Sequence, residues 1–275
     1  MKRMLLALER SDDGSGAVAF AQSLARDRRA EICLVRVEEW PLFGSFAGVP
    51  RWRASDLNAV CSRVEAADGV RARILLRESI PAATVVSQAR RASASLIVVP
   101  HRADRTWIRL MSGDPVERVL RESPLPVLAV PDGGVPPARR SRILYAYEDG
   151  DAAVWGLRHV IEFAQAYEAG VALLQLRSFG KTVPAAERLM SVLKKRDVPA
   201  EALRDGEGNP LDDISKAVRD GCGLVVLLRS PKRVKVFASL ARAILHCIPL
   251  PLLLIGDGTP AASSLETPAP LRIGI

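Results

Sequence analysis

The sequence predicts an α/β protein built twice over: two tandem domains, each a five-stranded parallel sheet with helices on both faces. Three observations predict it. Short apolar runs bounded by polar turns alternate with helix-length amphipathic segments, the pattern of strands buried on both faces of a parallel sheet. The stretch Leu96 to Val130 recurs as Leu224 to Ile255, each with an apolar run, a basic loop, a helix-like segment and a second apolar run behind Pro-x-Pro. Pro126 answers Pro251, an offset of 251 − 126, or 125 residues. A length of 275 residues accommodates two domains of ordinary size.

The elements follow in order. Residues 4–8 read as the first strand, Ser11 to Ser15 as a turn with several potential helix caps, and Ala17 to Arg26 as a helix with Val18, Ala21, Leu24 and Ala25 on its inner face. Glu31 to Val37 is a second strand. Residues 39–58 form a long irregular connection carrying Trp40, Phe43, Phe46 and Trp52 beside Arg51 and Arg53. Such interleaving can stack bases or meet a membrane surface, or pack as a lid over the sheet. Leu57 to Ala67 reads as a helix, Ala72 to Leu76 as a strand, Ala82 to Arg91 as a helix, and Leu96 to Val99 as the fourth strand. Asp114 can cap a helix through Glu122, with Pro115 at its first position and Val116, Val119 and Leu120 on one face. The first domain thus spans residues 1–131, and Gly- and Pro-rich residues 132–140 are the linker.

The second domain, 141–256, mirrors the first. It offers strand Ile143 to Tyr147, turn Glu148 to Asp151, helix Ala153 to Tyr167 and strand Val171 to Leu176. Helix Ala185 to Lys195, strand Ala200 to Leu203 and helix Leu211 to Arg219 lead to the repeated stretch. Residues 257–275, rich in Pro, Ala, Ser and Thr, read as a flexible tail.

Composition narrows the function classes. Net charge is +8, and the two parts 1–137 and 138–275 carry +4 each, from 20 basic and 16 acidic residues against 19 and 15. A charge spread so evenly, with no basic tail, predicts a solvated surface and no nucleic-acid partner. No apolar run approaches the ~18 residues of a membrane span, and no secretory signal is visible, so no membrane association is expected. Cys33, Cys61, Cys222 and Cys247 show no metal-ligand or Cys-x-x-Cys spacing, which suits a reducing cytoplasm. Gly180-Lys181-Thr182 lacks the leading glycine of a phosphate-binding P-loop, since that position is Gln175. The histidines, His101, His159 and His246, are far apart in sequence, and no carboxylate pair suggests acid/base work. No enzyme and no metal site are expected.

The run Gly113-Asp114-x-Val116-Glu117-Arg118-Val119-Leu120-Arg121 followed by Pro124-Leu125-Pro126-Val127-Leu128-Ala129-Val130 resembles the C-terminal signature of the universal stress protein family. The resemblance implies two flavodoxin-like domains, similar to the adenine nucleotide α-hydrolases, in a tandem stress-response protein. It also implies self-association through the edges of the fifth strands, as an internal pseudo-dimer and potentially a homodimer. Many members of the family bind ATP through Gly-x2-Gly-x9-Gly-(Ser/Thr) and contact the nucleoside with an acidic residue at the end of strand one. Here Glu9 and Glu148 take the acidic position, and the glycine motif has become Pro100-x2-Ala103-x9-Gly113-Asp114. Proline has no N–H for a phosphate, alanine crowds a close backbone approach, and Asp114 would repel phosphate oxygens. In the second domain the loop Arg229 to Ser239 has no glycine, Ala238 stands for Gly113 and Ser239 for the family's Ser/Thr, while Arg229, Lys232, Arg233 and Lys235 could hold an anion.

Three readings follow. In the first, the chain is a non-catalytic stress-response or regulatory module without high-affinity ATP binding and without a cofactor. In the second, it is an ATP or AMP sensor or slow ATPase using a residual site at Glu9 and Gly113. In the third, it binds an anionic surface or nucleic acid through Arg229, Lys232, Arg233 and Lys235 with the aromatic residues of 39–58.

Overall fold

The computed structural model describes residues 2–8, 15–37, 54–66, 69–75, 84–101, 123–148, 150–176, 185–203, 209–228 and 234–256. In the first half they form β1 (Arg3–Leu8), α1 (Ser15–Arg28), β2 (Glu31–Arg36), α2 (Ala54–Glu65), β3 (Arg71–Ile74), α3 (Val85–Arg91), β4 (Ile97–His101) and β5 (Val127–Pro131). The second half contributes β6 (Arg142–Tyr147), α4 (Gly150–Tyr167), β7 (Gly170–Gln175), α5 (Ala185–Lys194), β8 (Ala200–Ala202), α6 (Pro210–Arg219), β9 (Cys222–Leu228), α7 (Val234–Cys247) and β10 (Leu252–Ile255). The helix expected over 114–122 lies outside the described residues.

The two expected five-stranded sheets are one. Strand order is β3-β2-β1-β4-β5-β10-β9-β6-β7-β8, parallel within each half. The halves join where β10 runs antiparallel to β5, with Leu252, Leu253 and Leu254 opposite Ala129, Leu128 and Val127. Burial explains the merger. Every residue of β10 is buried and so are four of the five in β5, so neither edge could face water without exposing unpaired backbone groups on an apolar strand.

Helices α1, α2, α4 and α5 pack on one face of the sheet, and α3, α6 and α7 on the other. The first face holds the halves together a second time. Phe20 of α1 lies 6.4 Å from the ring of Phe163 and edge-on to Tyr167 at 5.7 Å, both on α4. Arg28 donates to the Glu162 carbonyl.

Local geometry repeats between the two halves. Arg29 and Glu168 both follow their helices with positive φ, of 48° and 50°. Ala30 N–H then reaches Ala25 O, and Ala169 N–H reaches Ala164 O, the left-handed cap that satisfies last-turn carbonyls. Gly16 is needed for contact rather than conformation: a Cβ there would come 2.4 Å from the Gly134 carbonyl oxygen, so α1 begins against the connection that leaves β5.

Several sequence-based boundaries shift. Helix α2 begins at Ala54, so only residues up to 53 of the expected irregular connection remain before it, and α3 begins at Val85 with Thr84 before it. The expected turn at Glu148 to Asp151 gives way early, because α4 starts at Gly150. The largest shift is at α7, which starts at Val234 where a loop through Ser239 was expected. Phe237, Ala241, Ile244, Leu245 and Ile248 are all buried, a stripe at helical spacing that draws the helix start forward.

Candidate nucleotide-binding rim

In an open parallel sheet, ligands bind outside the carboxyl ends of the strands where strand order reverses. The order reverses between β1 and β4 in the first half and between β6 and β9 in the second. Of the residues expected there, Glu9, Ala103, Gly113, Asp114, Arg229 and Lys232 lie outside the described residues, as do Arg233 and the aromatic residues of 39–53. Pro100, Glu148 and Ser239 are described.

Pro100 is a buried residue of β4, paired with Val130 of β5. Backbone groups in a parallel strand point alternately to its two neighbours. Leu96 O accepts from Leu5 N of β1, and Ile97 N donates to Pro126 O on the β5 side. Continuing the alternation, the next donor owed to β1 after Val98 is the N–H that Pro100 lacks. The β1–β4 register accordingly stops at Leu6 opposite Val98. In the second half the matching strands continue one pair further, to Ala146 opposite Leu227, because Leu228 has the N–H that Pro100 lacks. The first-half crevice therefore opens one pair earlier and presents no donor on that strand at its mouth.

The adjoining His101 is the final residue of β4 rather than part of a loop, and it is buried. Its Nε2 lies 3.0 Å from the Leu245 carbonyl oxygen near the end of α7, and its ring stacks on His246 with centroids 6.2 Å apart and 12° between planes. The last turn of α7 is thus seated against the end of β4, and the second half covers part of the first half's rim. The sequence gives no signal for this contact, since its partners are 144 positions apart.

In the second half two tyrosines pack beneath α4 toward the carboxyl end of β6. Tyr145 and Tyr147 lie in β6 with ring centroids 5.5 Å apart, and both are buried. The Tyr145 hydroxyl donates to Ala153 O at 2.9 Å, and burial pushes its pKa upward, with a smaller push from Tyr147. Gly156 of α4 lets the helix descend onto this pair: a Cβ there would lie 2.5 Å from the Tyr145 hydroxyl and 2.9 Å from Leu228. Glu148 follows β6 and is half-buried, whereas Ser239 is exposed. Because α7 begins at Val234, Ser239 stands in its second turn, past the free N–H groups at a helix start that hold anions. The residue placed by alignment as a phosphate ligand is a surface helical serine.

Among the described residues only His101 and Ser123 are buried polar or charged side chains. Ser123 folds back on its own turn, donating to Leu125 O and accepting from Leu125 N at 2.8 and 3.1 Å, which sets the Pro124–Pro126 entry to β5. No group of three or more potential metal ligands occurs among the described residues. No helix among them is long and apolar enough to cross a membrane.

Comparison with known proteins matches residues 1–131 to the profile of the universal stress protein family. No curated protein sequence matches significantly. Among solved structures, a universal stress protein from Archaeoglobus fulgidus superposes with a TM-score of 0.71 at 15% identity, over 94% of this chain and 97% of that one. A functionally unknown protein from Pseudomonas aeruginosa gives 0.65 at 17% identity, over 94% and 93%. The cytoplasmic domain of a prokaryotic cation chloride cotransporter gives 0.57 at 12%, over 94% and 97%. At these identities the likeness is one of fold.

Proposed function

We propose that the chain, whose residues 1–131 match the universal stress protein family, is a tandem stress-response module that works by contact rather than by catalysis and holds no ATP. The second half, on this reading, is a further domain of the same kind, fused so that its α7 and β10 dock on the first half as a separate subunit would. The observation that carries the proposal is Pro100, which removes the backbone donor at the mouth of the β1–β4 crevice and ends the ladder at Leu6 opposite Val98. The second half supports the same reading, since Tyr145 and Tyr147 are buried in β6 beside its crevice and Ser239 is carried off on a helix.

On this reading no step of nucleotide chemistry is assigned. Four free cysteines support a cytoplasmic location. Mass spectrometry of the natively purified protein, recording any small molecules it retains, tests the reading. The expected result is the chain without an adenine nucleotide; stoichiometric ATP or AMP would refute it and favour a residual site at Glu9 and Gly113.

A further inference from the structure

The even +4 on each part of the sequence conceals an uneven arrangement in space. In a βαβ chain, strand starts and helix ends lie at one end of the sheet. At that end of the first half, opposite the nucleotide rim, Lys2 and Arg3 lead into β1 and β3 brings Arg71 and Arg73. The helices arriving there add Arg26, Arg28 and Arg29 from α1, Arg63 from α2, and Arg90 and Arg91 from α3. Only Asp27, Glu31 and Glu65 oppose these ten cations among the described residues of the rim. Several contacts tie the rim together: Arg3 donates to Ala92 O beyond α3, Arg3 and Arg73 share Glu31 at 2.8 and 3.2 Å, and Gln22 of α1 donates to Arg63 O at the end of α2.

The equivalent end of the second half is different. There Lys194, Lys195, Arg196, Lys216 and Arg219 are exposed at the ends of α5 and α6, but Glu168 takes Arg139 and Arg140, Glu201 takes Arg142, and Asp197 and Asp220 add two more carboxylates, so that end is less basic. In the first half Arg29, Arg63, Arg71, Arg90 and Arg91 are exposed, with no carboxylate partner among the described residues. Basic residues at helix ends complement the macrodipole, but Lys2, just before β1, and the strand residues Arg71 and Arg73 have no such role.

We propose that this amino-end rim of the first half binds a nucleic-acid duplex through its phosphates, without reading sequence. The chemistry favours that partner. Guanidinium groups meet phosphate oxygens in pairs. The rim spans two strand spacings with a helix layer on each side, roughly 20 Å, along which a duplex presents about a dozen charges. The only large apolar side chain exposed among the described residues is Val135, which lies in the connection after β5. Among its described residues the rim therefore has no wedge to enter a lipid surface and no aromatic platform for single-stranded bases. The site is independent of the nucleotide rim, so it stands or falls without the ATP reading.

The test is fluorescence anisotropy with a labelled 40-base-pair duplex of mixed sequence, full-length protein, and salt varied from low to physiological. Log affinity should fall linearly with log salt, and two unrelated duplex sequences should bind alike. The variant Arg29→Glu, Arg63→Glu, Arg71→Glu, Arg91→Glu should lose at least ~100-fold at low salt and flatten the slope by roughly 3 to 4. The milder set with Gln at the same four positions should lose at least ~10-fold while keeping the wild-type near-ultraviolet dichroism. A control with the same charge change in the second half, Lys194→Glu, Lys195→Glu, Arg196→Glu, Arg219→Glu, should lose less than ~5-fold. Equal losses in rim and control variants, which would report net charge alone, overturn the proposal. So does undetectable binding at low salt, or tighter binding to phosphatidylglycerol vesicles than to the duplex.

Discussion

Replacing Gly156 by alanine gives a test of how closely α4 packs on β6. The new methyl would meet the Tyr145 hydroxyl at 2.5 Å and Leu228 at 2.9 Å, well inside contact distance. Overpacking of this kind costs about 1–3 kcal/mol. Alanine in a helix interior returns roughly 0.5–1 kcal/mol over glycine, so the net loss should be about 1–2 kcal/mol. Tyr145→Phe alone removes the hydroxyl and its bond to Ala153 O, at about 1 kcal/mol. In the double variant the worst clash has gone with the hydroxyl, so the two losses should not add, and the coupling should reach ~1 kcal/mol. Urea denaturation of the four proteins supplies the cycle. Additive losses, or a Gly156→Ala protein more stable than wild type, would refute the close packing of α4 on β6.

Other consequences follow from the same contacts. Phe20→Ala empties a fully buried site that touches both halves and should cost about 3–5 kcal/mol; a calorimetric scan should show one transition lowered by several degrees, and two transitions with only one displaced would argue that the halves unfold independently. His159, half-buried beside Arg158 and edge-on to Trp155 at 5.8 Å, has its pKa lowered to about 4, first by burial and then by the Arg158 charge. The unfolded chain then binds the extra proton below about pH 6.5, so this stability is complete above that pH and is lost as pH falls toward 4. At about 1.4 kcal/mol per pKa unit, discounted for the partly solvated ring, the wild type should lose roughly 1–2 kcal/mol between pH 7 and 5. His159→Gln should lose that much less over the same range, and identical pH profiles would contradict the assignment.

The fold was legible because strand burial writes itself in local composition. Leu96 to Val99 and Leu224 to Leu228 need no partner to be recognised, and the Pro-x-Pro entries repeat where β5 and β10 begin. The merger of two sheets into one was half legible: the edges expected to associate are the ones that pair, but the antiparallel register of Leu128 on Leu253 depends on contacts far apart in sequence. The start of α7 was misplaced for a local reason. Lys232, Arg233 and Lys235 suggested a loop, while the stripe Phe237, Ala241, Ile244, Leu245 and Ile248 carried the better signal. Pro100 was readable as a missing donor, yet its effect on the β1–β4 ladder needed the alternation of backbone groups along a placed strand. The basic rim was invisible to a linear count, since its cations come from five elements and converge only when strand starts and helix ends are brought to one end of the sheet.

The account depends most on the claim that the β1–β4 crevice, short of a backbone donor at Pro100, does not cradle a triphosphate. Calorimetric titration of the full-length protein with ATP and Mg²⁺ addresses it directly. The predicted trace shows only heats of dilution up to millimolar nucleotide; saturable binding in the micromolar range, about −8 kcal/mol, would contradict it.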